Sequence, residues 1–130
     1  MNKTILATGA ILGLLAVTLG AFGAHGLGRV VDADAVQTFE TGVRYQMYHA
    51  LFLLFLGFFS KLKSRARHII FYLVLAGTIL FCFSIYALAT NELTSFDFKK
   101  IGFVTPIGGT LLLFGWVLLA YHILTKIKSD

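Results

Sequence analysis

The sequence predicts an all-α integral membrane protein folded as a four-helix transmembrane bundle. Three observations predict it. Only 13% of the 130 residues are charged, about half the roughly 25% of a soluble domain, and 58% are hydrophobic. Charge is absent from four long stretches, Thr4–Gly28, Tyr45–Ser60, His68–Asn91 and Ile101–Thr125. The charges that remain sort by side. A soluble chain this short leaves too much surface in water to hide so much apolar side chain. A soluble protein, a disordered tail and a nucleic-acid-binding domain are therefore excluded. Four spans of about 20 residues use most of the length, so residues 1–130 are expected to be one domain.

Span 1 is expected over residues 4–24. Lys3, an apolar run and small residues near Ala21–Ala24 also resemble a secretory signal peptide, but the apolar run is long for one. Gly9 and Gly13 form a GxxxG pair, and Ala16, Gly20 and Ala24 continue small residues every fourth position. Such a face lets another backbone come close, either a neighbouring span or a second copy of the chain. Gly26 and Gly28 end the span. Asp32 or Asp34 can then cap a new helix, and Asp34 with Gln37 resembles a capping box. That helix either lies on the membrane surface as a short interfacial element or runs straight into span 2.

Span 2 is expected over residues 43–60, span 3 over 68–89 and span 4 over 105–125. The charge-free part of span 2 is short for a hydrocarbon core of roughly 30 Å, so Arg44 belongs near an interface or a polar interior. Thr105-Pro106 reads as a helix start, with Thr105 as the cap. Gly108 and Gly109 thin the first turns of span 4. Trp116 lies too deep for an interfacial belt and reads as a packing residue. Cys82 reads as a small buried hydrophobe.

With four spans, Lys3, Lys61, Lys63, Arg65, Arg67, Lys126 and Lys128 share one side. Arg29, Arg44, Lys99 and Lys100 share the other, with all the acidic residues except Asp130. The excess of basic residues marks the cytoplasmic side, which predicts both termini inside. The Lys61–Arg67 loop would also attract anionic lipid. Tyr45, Tyr48 and Tyr86 fall near the outer boundary, and Tyr72 and Tyr121 near the inner one, as interfacial anchors do.

Chemistry concentrates in Glu40–Ala50. On a helix, Glu40 and Arg44 are one turn apart and suit an ion pair; Tyr45 and His49 suit a hydrogen bond. His25, Tyr86 and Thr105 reach the same level. An ionisable residue within a span is costly to bury and is a candidate functional group. The candidate cluster is therefore His25, Arg44, Tyr45, Gln46, Tyr48, His49, Tyr86 and Thr105. It either glues the helices or forms an outward pocket for a small anionic or lipid ligand, helped by the N-terminus of span 4. Helix packing is assigned to Gly9, Gly13, Gly20, Gly108 and Gly109. The histidines raise two further alternatives, haem ligation and metal binding, but His68 and His122 sit where interfacial cations are favoured. No cofactor or metal is expected. The expected partners are membrane lipids and either a second copy or another membrane protein, and no nucleic acid. The readings that remain are a non-enzymatic membrane protein, a scaffold or accessory subunit of a membrane complex, and a small transporter or haem protein.

Gly20–Leu27, Phe39–Leu51, Ser84–Tyr86, Thr105–Gly109 and Gly115-Trp116 resemble the small four-span membrane proteins catalogued as domain-of-unknown-function family four-two-three. The resemblance covers nearly the whole chain. It implies a bacterial plasma-membrane protein, with mitochondrial transmembrane relatives, and no established activity. Two departures stand out. Phe83 occupies a position where the family is expected to carry glycine, and Phe103 one where a second proline is expected.

Overall fold

The computed structural model describes residues 2–129. Four long helices carry the fold: α1 (Asn2–His25), α2 (Ala33–Phe58), α3 (Ser64–Ala89) and α4 (Val104–Lys126). There is no strand among the described residues. α1, α3 and α4 are long and apolar enough to cross a membrane. α2 has the length, since 26 residues at 1.5 Å each reach about 39 Å. Arg44, Gln46 and His49, near its middle, lower its apolar character.

α2 begins ten residues before the expected span and is one unbroken helix, so no separate interfacial helix precedes it. Asp32 is the cap: its carboxylate accepts from the Ala35 N–H at 2.8 Å. Asp34 follows in the first turn, where a negative charge suits the helix dipole. α4 also departs from expectation. It begins at Val104, with Phe103 in the cap position making no side-chain capping bond, because a 3-10 turn at Phe98–Ile101 feeds directly into it. The Thr105 N–H bonds to the Gly102 carbonyl at 3.3 Å, and the Gly102 N–H to the Lys99 carbonyl at 3.2 Å in the turn before. Thr105 is therefore not the cap. Pro106 still falls in the first turn, where its missing N–H does no harm. Asn91 and Asp97 organise the loop that leads there, with the Asn91 side-chain oxygen accepting from the Phe98 N–H at 2.7 Å.

The helices pack in chain order as antiparallel neighbours, α1 on α2, α2 on α3 and α3 on α4. The outer pair, α1 and α4, have no comparable packing with each other, so the arrangement is an open array more than a closed four-helix ring. Glycines set the close approaches. A methyl on Gly9 would sit 2.9 Å from the Ala50 carbonyl oxygen, and one on Gly77 3.0 Å from the Gly108 carbonyl oxygen. A methyl on Gly108 would overlap the Phe81 backbone nitrogen. The Gly9 face is thus occupied by α2 of the same chain. Gly20 is close to Val43, whereas Gly13 and Gly109 have ordinary room. Gly42, Gly57 and Gly115, which the sequence did not assign to packing, are tighter than these: each faces a side chain on a neighbouring helix at 2.5–2.6 Å from a built methyl.

Two apolar cores fill the array. The larger joins Ile5, Leu12, Leu53, Leu56, Ile70, Val74, Leu112 and Leu119; the smaller joins Leu27, Phe39, Cys82, Tyr86 and Ala89. Large apolar side chains such as Leu14, Val17, Leu113, Phe114 and Leu124 point outward, as lipid-facing positions require. Phe83 and Phe103 are both exposed. Phe83 packs its ring against Tyr86 at 5.9 Å and leaves the α3–α4 approach at Phe81–Gly108 untouched.

Candidate functional site

The structure distributes the polar cluster over separate ties. Gln46 is 1% exposed and uses both ends of its amide. Its N–H donates to the Leu12 carbonyl of α1 at 2.9 Å, and its oxygen accepts from the Tyr86 hydroxyl of α3 at 2.7 Å. One side chain therefore fastens three helices. Phe39 packs over the Tyr86 ring at 4.9 Å, and Gly42 makes room for that ring.

His49 forms the second tie. Nδ1 lies 2.7 Å from the Tyr45 carbonyl oxygen, one turn back on α2. Nε2 lies 3.1 Å from the Trp116 Nε1 of α4. A carbonyl only accepts and an indole N–H only donates, so this pattern is that of neutral imidazole with its proton on Nδ1. The Tyr45 ring stacks beside His49 at 6.4 Å but contributes its backbone, not its hydroxyl. Phe52 meets the Trp116 ring edge-on at 4.6 Å and closes the underside. His49 stands nine residues from the end of α2, about 14 Å along the axis, so it is near mid-helix and deeper than a mouth residue. Away from water such bonds have no solvent substitute.

The third tie is small. Ser84 and Thr105 share a hydrogen bond of 2.6 Å between α3 and α4. The Thr105 hydroxyl thus bridges helices instead of capping one.

Arg44, Tyr48 and His25 lie outside these ties. Arg44 is exposed and donates to the Thr41 hydroxyl at 3.4 Å, without an ion pair to Glu40. Tyr48 is 53% exposed and touches Tyr45 edge-on. His25 is exposed in the last turn of α1, where a cation suits the helix end. An apolar groove of about 200 Å³ runs between α2 and α4, lined by Tyr45, His49, Phe81, Gly109, Leu113 and Trp116 among others. The His49 ring and the Trp116 indole N–H on its wall are already engaged within the chain. His49 has no ring nitrogen left for a metal or haem, and no group of three potential metal ligands exists among the described residues.

Sequence reasoning missed two participants. Trp116 was assigned to packing, yet it is the donor that fixes His49. Arg67 was counted as a topological charge, yet it is 8% exposed and clamps the end of α2. Its Nη2 donates to the Phe59 carbonyl at 2.9 Å and the Leu62 carbonyl at 2.8 Å. An arginine that follows a helix end within one short loop is the available signal for such a clamp.

Comparison with known proteins identifies the group to which this arrangement belongs. Residues 19–109 match the family described as protein of unknown function (DUF423). The chain belongs to that family. The matched segment spans the end of α1, all of α2 and α3 and the start of α4, and so includes Gln46, His49, Ser84, Tyr86 and Thr105 but not Leu12 or Trp116. Across 121 residues it is 37% identical to a UPF0382 membrane protein of Haemophilus influenzae, covering 93% of this chain and 94% of the relative. It is 38% identical over 117 residues to a UPF0382 membrane protein of Staphylococcus aureus, covering 90% and 92%. It is 37% identical over 119 residues to one of Bacillus subtilis, covering 90% and 93%. No solved structure matches. The family expected from the Gly20–Leu27 and Phe39–Leu51 motifs is the one found. The relatives are bacterial membrane proteins, and the family carries no enzymatic name.

Proposed function

We propose that the chain is a four-span protein of the bacterial plasma membrane with both termini in the cytoplasm, acting without catalysis as an accessory or scaffold subunit. The observation that carries this reading is that the Gln46, His49 and Tyr86 side chains are closed on partners within the chain. The Gln46 amide, the His49 ring and the Tyr86 hydroxyl spend their hydrogen bonds within the chain, on other helices except for the His49 bond to the Tyr45 carbonyl of its own helix. A ligand site needs converging groups that remain open, and these are closed. What the chain offers to other molecules is its outer surface. α1 and α4 flank the array with broad apolar faces, suited to lipid and to the helices of partner membrane proteins.

Length supports α2 as the fourth span, since it lies antiparallel between α1 and α3 and matches their reach. The basic loop Lys61–Arg67 supports the cytoplasmic orientation. A second reading, binding of a small anion on the outer side, draws on Arg44 alone, which is exposed and held by one long bond.

Single cysteines in a Cys82→Ala background test the topology. Cysteine at Lys63 should react with an impermeant maleimide only after the membrane is opened, and cysteine at Lys99 in intact cells. The reverse pattern overturns the orientation, and like labelling of both sites removes α3 as a span. Extraction in mild detergent tests the scaffold role. A defined set of co-purifying membrane proteins is expected; a clean monomer defeats it. Anion-dependent thermal stabilisation lost in Arg44→Ala would favour the second reading.

A further inference from the structure

The end of the molecule opposite the polar ties holds a cavity. It has a volume of about 350 Å³ and lies between the start of α3 and the end of α4. That volume falls in the roughly 300–1,000 Å³ range of small-molecule sites. Its rim is cationic: Lys63, Arg65 and Lys126 line it, and no Asp or Glu of the described residues does. Its wall is apolar, with Ile69, Leu118 and Ile127. None of the three rim cations has a hydrogen bond or ion pair among the described residues. Tyr72 and Tyr121 are exposed about two turns or less along α3 and α4, which places the cavity at the level where a membrane meets water.

We infer that this cavity holds one anionic phospholipid, its phosphate among Lys63, Arg65 and Lys126 and the upper part of an acyl chain against Ile69 and Leu118. Charge selects the headgroup, because three cations with no counter-charge among the described residues attract a phosphodiester and reject a zwitterion's ammonium. The apolar wall selects a lipid over a free anion, because an inorganic ion leaves that wall without a partner. The guanidinium of Arg65 can meet two phosphate oxygens at once, which a lysine cannot do. The inference rests on the chain lying in a bilayer with this end at its surface. It holds whichever side that surface faces, so it and the topology above fail in separate experiments.

The test is native mass spectrometry of the purified full chain in neutral detergent. The probes are phosphatidylglycerol, phosphatidylcholine of the same acyl composition, and inorganic phosphate. One phosphatidylglycerol per chain should be retained in preference to phosphatidylcholine, and rising salt should release it as the charges are screened. The triple variant K63Q/R65Q/K126Q should bind about tenfold more weakly or worse, given what each cation near a surface contributes. The variant K99Q/K100Q, which removes charge at the other end, should bind as the parent does. Equal retention of the two lipids overturns the inference. So does retention by the triple variant, or equal loss in K99Q/K100Q. Displacement by phosphate at concentrations comparable with the lipid also defeats it, since the site would then be one for free anions. Should the triple variant not fold, the parent's lipid preference and salt release decide alone: a preference that persists unchanged in high salt overturns it.

Discussion

The Trp116 indole N–H points at Nε2 of His49 from 3.1 Å, joining α4 to α2 across 67 residues of sequence. The two helices meet here by side chains, since their backbones pack on α3 instead. Trp116→Phe keeps an aromatic ring against Phe52 and removes only the donor. It should lower stability by about 0.5–2 kcal/mol, the range for interhelical hydrogen bonds in membranes. Trp116 is the only tryptophan, so its fluorescence reports this contact directly. His49→Leu should move the emission to shorter wavelength, because the indole loses its acceptor. Arg44→Ala should leave the emission where it is. An unchanged spectrum in His49→Leu would show that the bond does not form in the membrane.

The Tyr86–Gln46 pair makes a different prediction, because both partners are buried. Tyr86→Phe leaves the Gln46 oxygen without a donor at 1% exposure. The cost should be about 1–3 kcal/mol, the desolvation penalty of one stranded polar group. Gln46→Leu strands the Tyr86 hydroxyl instead and should cost a similar amount. The double variant Gln46→Leu/Tyr86→Phe strands neither, and the Leu12 carbonyl is a helical one with a backbone partner. The double should therefore be less destabilised than the sum of the singles. Denaturation in mixed detergent, read by circular dichroism, closes the cycle; strict additivity would mean that the pair is not coupled.

The sequence made the spans legible because lipid imposes a strong rule: residues 4–24, 68–89 and 105–125 are each within a few residues of α1, α3 and α4. α2 was harder. Its first ten residues alternate polar and apolar like a surface helix, and only the structure shows them continuing without a break into Val43–Phe58. The polar cluster was legible as composition but not as connection. Helical spacing offered Glu40–Arg44 and Tyr45–His49 as pairs, both within one helix; the second is made, through the Tyr45 carbonyl, and the first is not. The other partners of Gln46 and His49 are Tyr86, Leu12 and Trp116, set by how helices cross, and no local period reveals them. The same reason hid Gly42, Gly57 and Gly115. GxxxG spacing singles out Gly9, whereas a lone glycine shows its role only when the facing side chain is known.

The glycines separate into two groups that substitution should distinguish. Gly108→Ala places a methyl into the Phe81 backbone, which cannot move aside as a side chain can. It should cost at least the roughly 1–3 kcal/mol of an overpacked core and push α4 away from α3. Gly109→Ala, one residue on, meets the Phe81 ring at 3.6 Å and Gly13→Ala meets Ala50 at 3.8 Å, both ordinary contacts. These two should fold as the parent does, within about 0.5 kcal/mol. Thermal midpoints of the three purified variants measure the contrast. Equal loss in Gly109→Ala and Gly108→Ala would remove the case for a backbone approach at Phe81.

Arg67 should behave as a fastener and its neighbour Arg65 should not. The Arg67 guanidinium is buried and bonded to the carbonyls of Phe59 and Leu62, which end α2 and its loop without other side-chain donors. Arg67→Leu removes both charge-assisted bonds and leaves two carbonyls at a helix end to be met by water or not at all. A loss of about 2–3 kcal/mol is expected, in line with hydrogen bonds to charged groups. Arg67→Lys should recover only part of it, because the shorter lysine stem does not reach the Nη2 position from which both carbonyls are met. Arg65→Gln, exposed on the same turn, should change stability by less than about 0.5 kcal/mol while weakening lipid retention. Measuring stability and bound phosphatidylglycerol on the same three variants separates the roles. If Arg67→Leu loses lipid but keeps its stability, the guanidinium serves the headgroup and not the helix end.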